Sequence, residues 1–153
     1  MTTSLPVPAA GNRETGDWRA GLLPHVFAVF LVLHGLVHVY GFTVPWFHRG
    51  LRGVDYSTRI LNGSLDVGNT AMKMLGVVWL AVAVAFVVVG VMLWRGHPWA
   101  RRTTVTLLLG SVVLCTIGLP GSVMGLVIDV VLLALLAVVS DRLIAHSERR
   151  AGV

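Results

Sequence analysis

Long apolar runs separated by short polar segments make up most of this chain. Residues 74–94 and 103–119 contain no Asp, Glu, Lys or Arg, residues 22–46 are interrupted only by three histidines, and residues 121–140 contain a single acid, Asp129. About 20 predominantly apolar residues are needed for a helix to cross the hydrocarbon core of a membrane. The pattern therefore predicts four membrane-spanning helices.

The predicted fold is an all-α, four-transmembrane-helix bundle, and the membrane domain occupies residues 21–142. The segment "LPG" at residues 119–121 leaves so little chain between the last two helices that they must be antiparallel neighbours. Residues 47–70 are expected to form an external loop, and residues 1–20 and 143–153 to form cytoplasmic tails, the first of them flexible. The four helices are expected at about residues 22–46, 71–94, 102–119 and 121–141.

The composition supports a membrane protein and argues against a soluble or nucleic-acid-binding domain. Hydrophobic residues make up 56% of the chain and charged residues only 12%, against about 25% charged in a typical soluble domain. The formal net charge is +5, but the basic residues are scattered among the connections and do not line one face. The lipid bilayer is therefore the predicted partner, and nucleic acid is not.

The distribution of basic residues predicts how the protein is oriented in the membrane. With four spans, eight Lys and Arg residues fall on the side of both termini and four on the other side. Because cytoplasmic segments carry the excess of positive charge, a multi-pass protein of the cell (cytoplasmic) membrane with both termini inside is expected. The first group is Arg13, Arg19, Arg95, Arg101, Arg102, Arg142, Arg149 and Arg150, and the second is Arg49, Arg52, Arg59 and Lys73.

The segment "LHGLVHVYG" places two imidazoles in the first apolar run. His34 and His38 are one helical turn apart and so share a face, together with Gly41. In the fourth run Gly121, Gly125 and Asp129 follow at four-residue steps, which predicts a close-packed seam containing the acid.

These polar residues are expected to meet in the outer half of the bundle. At 1.5 Å per residue, His38, His34 and Asp129 lie roughly 10, 16 and 12 Å from the outer ends of their helices. Counted in the same way, Cys115 and Ser111 of the third helix lie roughly 8 and 14 Å deep. A further polar group is predicted at the outer mouth of the bundle, comprising Asp66, Asn69 and Lys73.

Three interpretations of the predicted cluster stay open at this level. In the first, the cluster is structural: Asp129 bonds one histidine, and the second histidine bonds backbone or Ser111. In the second, the cluster binds a ligand or relays protons. In the third, it is a metal site in which two histidines and a carboxylate are the ligands. Haem held by two histidines does not fit, because His34 and His38 lie on one helix and point the same way. No specific cofactor is predicted.

Three functions are compatible with such a cluster. The preferred one is binding of a small lipophilic ligand or a membrane partner, in a chain whose glycine-rich faces would also permit a homo-oligomer. The alternatives are a small proton-coupled carrier and an intramembrane enzyme with His34 or His38 as general base and Asp129 orienting it. Motifs for ATP hydrolysis, zinc proteolysis and serine hydrolysis (GxxxxGK[ST], HExxH and GxSxG) are absent from the sequence.

Three segments carry a resemblance to known proteins: "HGLVHVYGFTVPW", "GSLDVGNTAMKMLGVVWLAVAVAF" and "SVVLCTIGLPGSVMGLVIDVVLLALL". With them, the chain resembles short four-span bacterial membrane proteins and is similar in general plan to the DoxX-type four-helix membrane proteins. The resemblance covers about residues 22–140. It implies the four-helix fold and assigns no catalytic residue, cofactor or substrate.

Overall fold

The computed structural model describes residues 14–47 and 56–151, and the side chains of residues 22, 24–47 and 56–138 within them. The described chain is helical apart from one small hairpin, so the predicted helical class is confirmed. The elements are α1 (Glu14–Phe47), β1 (Arg59–Ile60), β2 (Leu65–Asp66), α2 (Gly68–Trp94), α3 (Ala100–Ile117) and α4 (Val123–Ala151).

Within the part of the chain that the structure describes, three helices are long and apolar enough to cross a membrane. Mean hydropathy is 1.9 for Pro24–Phe47, 2.8 for Gly68–Trp94 and 1.3 for Ala100–Ile117, whereas the apolar part described for α4, Val123–Val138, is shorter. Large apolar side chains on the outside of all four helices are exposed, as lipid contact requires. Examples are Phe30, Leu36, Val88, Val113 and Val130, which are 52–60% exposed.

Several helix boundaries differ from those predicted. Helix α1 begins at Glu14 and so includes residues 14–20 of the predicted tail, and residues 1–13 lie outside the described chain. Helix α4 continues to Ala151, through most of the predicted tail at residues 143–153. Hydropathy marks the apolar part of a helix, whereas backbone hydrogen bonds continue into polar sequence beyond it. The predicted starts of α2 and α3 were two or three residues late.

The start of α4 also changes the predicted glycine seam. Helix α4 begins at Val123, so Gly121 lies in the turn after α3 and not on the helix face. Only Gly125 therefore remains on α4 to allow close packing one turn before Asp129. Pro120 lies in this turn, and because it has no backbone N–H it could not continue helix α3.

The connection between α1 and α2 contains an antiparallel hairpin that the sequence did not predict. Strands β1 and β2 pair Arg59 with Asp66 and Ile60 with Leu65. The tip at Leu61, Asn62 and Gly63 has φ values of 51°, 57° and 84°, a region that asparagine and glycine adopt most readily. The N–H groups of Leu61 and Asn62 donate to the carbonyls of Ile117 and Leu119, both at 2.9 Å. The hairpin thus satisfies carbonyl groups at the carboxyl end of α3.

Glycines allow α1 and α2 to pack with their backbones close together. A Cβ atom at Gly35 would lie 2.7 Å from Phe86 Cβ, and one at Gly41 would lie 2.6 Å from the ring of Trp79. Gly41 therefore faces a neighbouring helix, as predicted. An apolar core of Leu31, Phe86, Val89, Leu108 and Leu132 lies beside this contact.

We expect Gly35→Ala to lower the free energy of unfolding by about 1–3 kcal/mol, the usual range for overpacking a tight contact. The added methyl group would also lie 3.0 Å from the Ala83 carbonyl oxygen, which is backbone and cannot rotate away. Denaturation of the purified protein in mild detergent measures the change. Gly110→Ala is the matched control, because nothing lies within 4 Å of a Cβ at that helical glycine. Equal stability of the two variants would contradict the close α1–α2 contact.

Candidate functional site

Five buried polar side chains from α1, α3 and α4 form one cluster in the bundle. We call them the polar core cluster; they are His34, His38, Ser111, Cys115 and Asp129. Their exposed fractions are 4, 1, 0, 0 and 0%. The structure therefore brings together all five residues that the sequence placed at this depth, while the role predicted for them remains a prediction.

Asp129 is the centre of the hydrogen-bond network. Its Oδ1 lies 2.7 Å from His34 Nε2, and its Oδ2 lies 2.6 Å from Ser111 Oγ and 3.5 Å from Cys115 Sγ. Ser111 Oγ is also 2.7 Å from His38 Nε2. One carboxylate thus links α4 to α1 and α3 through hydrogen bonds.

The other nitrogen of His38 fixes the orientation of that ring. His38 Nδ1 lies 3.0 Å from the carbonyl oxygen of His34, one turn earlier on α1. A carbonyl oxygen can only accept, so Nδ1 carries a proton and donates it. The ring is therefore held with Nε2 directed at Ser111.

Ser111 has one proton and two partners, so the network has two complete proton arrangements. In one, Ser111 donates to an ionised Asp129 and a doubly protonated His38 donates to Ser111. In the other, a protonated Asp129 donates to Ser111, which donates to a neutral His38. Shifting two protons along these bonds interconverts the two without changing the net charge. The arrangement of residues is thus able to move a proton between Asp129 and His38.

His34 has unused hydrogen-bonding capacity. Among the described residues, its Nδ1 is the one buried side-chain nitrogen or oxygen without a hydrogen-bond partner. Buried polar atoms are nearly always paired, and leaving one unpaired costs about 1–3 kcal/mol. When His34 Nε2 donates to Asp129, Nδ1 presents a lone pair inside the bundle.

Two aromatic side chains of α2 enclose the histidines. The Phe86 ring centroid lies 4.9 Å from that of His34 and 5.1 Å from that of His38, and Trp79 lies 5.2 Å from His38. Neither residue is among those that the sequence predicts for the site. Their spacing of seven residues, which places both on one face of a helix, is the signal that could have identified them.

Small residues allow α4 to approach α3 at the cluster. A Cβ atom at Gly125 would lie 3.0 Å from Cys115 Sγ. Ser122 donates to the Cys115 carbonyl oxygen at 2.5 Å and so ties the α3–α4 turn to the end of α3. Asp129 is thereby held against Ser111 and Cys115.

The three residues predicted at the outer mouth have other partners in the structure. Asp66 accepts from the Gly68 N–H at 3.0 Å, Asn69 accepts from the Tyr56 hydroxyl, and the Lys73 ammonium lies 5.7 Å from the Trp46 ring centroid. Hydrogen bonds from the Thr58 side chain and the Gly68 N–H, with the charge of Arg59, lower the pKa of Asp66 below its ordinary value of 3.8. The bonds of Asp66 and Asn69 stabilise the hairpin and the start of α2, and none of these contacts connects the three residues to the cluster.

His25, also on α1, is not part of the polar core cluster. Its ring packs edge-on against Trp94 with centroids 4.4 Å apart. At 1.5 Å per residue it lies roughly 13 Å from His34 along the helix axis. It therefore offers a control position for histidine substitutions on the same helix.

Comparisons of the chain with protein-family models, with curated proteins and with solved structures find no match.

Proposed function

We propose that this chain is a multi-pass protein of the cytoplasmic membrane that binds a small ligand at the polar core cluster. All four helices cross the membrane in this proposal, and both termini are cytoplasmic. Residues 123–138 of α4 would span about 24 Å of a hydrocarbon core that is about 30 Å thick. The excess of basic residues on the side of the termini supports the orientation.

The observation that carries the proposal is the buried ring of His34, whose Nε2 lies 2.7 Å from the Asp129 carboxylate and whose Nδ1 has no partner. Ionisable side chains in membrane helices are expensive and usually belong to functional sites. A purely structural network would gain the hydrogen bond from His34 to Asp129, but it would also carry the cost of the unpaired second nitrogen of that ring. The free lone pair instead suits a ligand that donates a hydrogen bond to it or accepts the electron pair.

Burial favours a small ligand over a membrane partner. No cluster residue is more than 4% exposed, so a protein docking on the outside would contact apolar side chains such as Leu36 and Val130, not the histidines. A ligand must therefore pass between helices. It is either a lipid-soluble molecule with one compact polar group or an ion.

A second candidate function, a small proton-coupled carrier, is favoured by the chain His38–Ser111–Asp129. These three residues lie in consecutive hydrogen bonds of 2.7 and 2.6 Å, through which a proton can be exchanged. Proton transfer coupled to ligand binding would use the same residues. The intramembrane enzyme remains the third alternative, with His34 oriented by Asp129 as its base.

Native mass spectrometry of the protein in mild detergent tests ligand binding. We expect the wild type to retain a bound species and Asp129→Asn to retain less than a tenth as much, because the amide keeps only one of the two oxygens that face His34 and Ser111. His25→Gln is the matched control and should retain the wild-type amount. A bound species that persists equally in all three proteins would place the binding site elsewhere and overturn the proposal.

A further inference from the structure

We infer that the ligand of the polar core cluster is a divalent transition-metal ion bound by His34, His38 and Asp129. The inference rests on the proposed function and names the class of ligand. The three side chains each offer one ligand atom, and these atoms lie within 4.8 Å of one another. Two of them come from one turn of α1 and the third from α4, so the ion would join two helices.

The spacing of the ligand atoms suits a transition metal. Ligand atoms about 2.1 Å from one zinc ion lie about 3.4 Å apart when the geometry is tetrahedral. Rotations that move the side-chain ends by about 1 Å would bring the three atoms to such distances. Two imidazoles and one carboxylate favour zinc, iron, nickel or copper over calcium or magnesium, which prefer oxygen ligands.

His38 is held as metal-binding histidines usually are. A ligating imidazole typically donates its second ring N–H to a backbone carbonyl or a carboxylate, which fixes the ring. His38 donates Nδ1–H to the His34 carbonyl at 3.0 Å and so leaves Nε2 available. His34 has one nitrogen beside Asp129 and the other without a partner. Each ring nitrogen of His34 carries a lone pair in one of the two neutral tautomers, so either nitrogen could bind the ion.

Charge and hydrogen bonding are also compatible with reversible metal binding. Both histidines would bind as neutral imidazoles and Asp129 as a carboxylate, so a cluster that starts with Asp129 protonated releases one proton to solvent for each ion bound. Ser111, which bonds both Asp129 and His38, would orient these two ligands from outside the metal. Because the hydrogen bonds are almost complete without an ion, the fold is expected to persist when the metal is removed.

Titration of chelator-treated protein with Zn²⁺, and with Co²⁺ as a spectroscopic probe, tests this inference. We expect one ion per chain in the wild type and His25→Gln, and visible Co²⁺ absorption typical of nitrogen and oxygen ligands. Asp129→Asn should abolish binding, and Ser111→Ala should weaken it about 10–100-fold, as loss of a residue that orients the ligands usually does. Helical content and elution volume, measured on every variant, identify any variant that fails to fold. Ser111→Ala makes the smallest change to the side chains of the cluster.

The outcomes separate this inference from the proposed function. Metal bound by the wild type and lost in Asp129→Asn supports both. If the wild type binds no metal but retains an organic molecule, and Asp129→Asn loses that molecule, the metal inference is overturned and the proposed ligand binding stands. Metal bound equally by all variants is adventitious and also overturns the metal inference. A wild type that binds neither metal nor an organic molecule overturns both the metal inference and the proposed function.

Discussion

Asp129→Val is expected to lower the free energy of unfolding by about 3–5 kcal/mol, because it leaves buried polar partners on α1 and α3 unpaired, at about 1–3 kcal/mol each. The carboxylate lies within hydrogen-bonding distance of His34, Ser111 and Cys115. Each interhelical hydrogen bond in a membrane contributes about 1–2 kcal/mol in model peptides, so three bonds give a sum of the same size. His34 would then have no partner for either ring nitrogen.

Denaturation in mild detergent, followed by helical circular dichroism, measures the loss. Thr106→Val is the control, because it also replaces a polar side chain with valine but at an exposed position of α3. Its stability should stay within about 0.5 kcal/mol of the wild type, as for most surface substitutions. A loss below about 1 kcal/mol for Asp129→Val would contradict the hydrogen-bond network, since even one net bond contributes about that much.

Replacing the whole network with apolar residues is expected to restore most of that stability while removing ligand binding. The apolar variant combines His34→Leu, His38→Leu, Ser111→Ala and Asp129→Val. Substituting all partners of a buried polar network leaves no group unpaired and is often neutral or stabilising. We therefore expect its free energy of unfolding to lie within about 2 kcal/mol of the wild type, above that of Asp129→Val alone.

Comparison of the apolar variant with Asp129→Val in the same denaturation experiment shows whether the cluster is needed for folding. If the apolar variant folds and Asp129→Val is the less stable, the polar residues are not required by the bundle. If both are equally unstable, the network is a packing device that fixes α1 against α4, and the binding proposal loses its main support.

The helical class and the membership of the cluster were predictable from periodicity and depth. His34 and His38 had to share a face because they are one turn apart. Counting along each helix placed Ser111, Cys115 and Asp129 at similar depths, and the structure puts them in contact. A helix has a fixed rise, so residues at similar distances from the joined ends of neighbouring helices come to lie side by side.

Other features depended on tertiary contacts that the sequence does not display. In the sequence, Trp79 and Phe86 resemble the other apolar residues of a valine-rich helix. The structure shows that glycines of α1 pack against them and that both rings contact His38. The hairpin is stabilised by bonds from its tip to the end of α3, which propensity alone cannot show. The mouth residues were grouped by depth, but local bonds within the hairpin and the start of α2 determine their contacts.

The measurement that tests the central claim most directly is native mass spectrometry of the wild type beside the apolar variant, both purified from the same membranes and both shown to be folded. We predict that the wild type carries a bound species and that the apolar variant has the mass of the bare chain. Bare chains in both preparations, or the same bound species in both, would contradict a binding site at the polar core cluster.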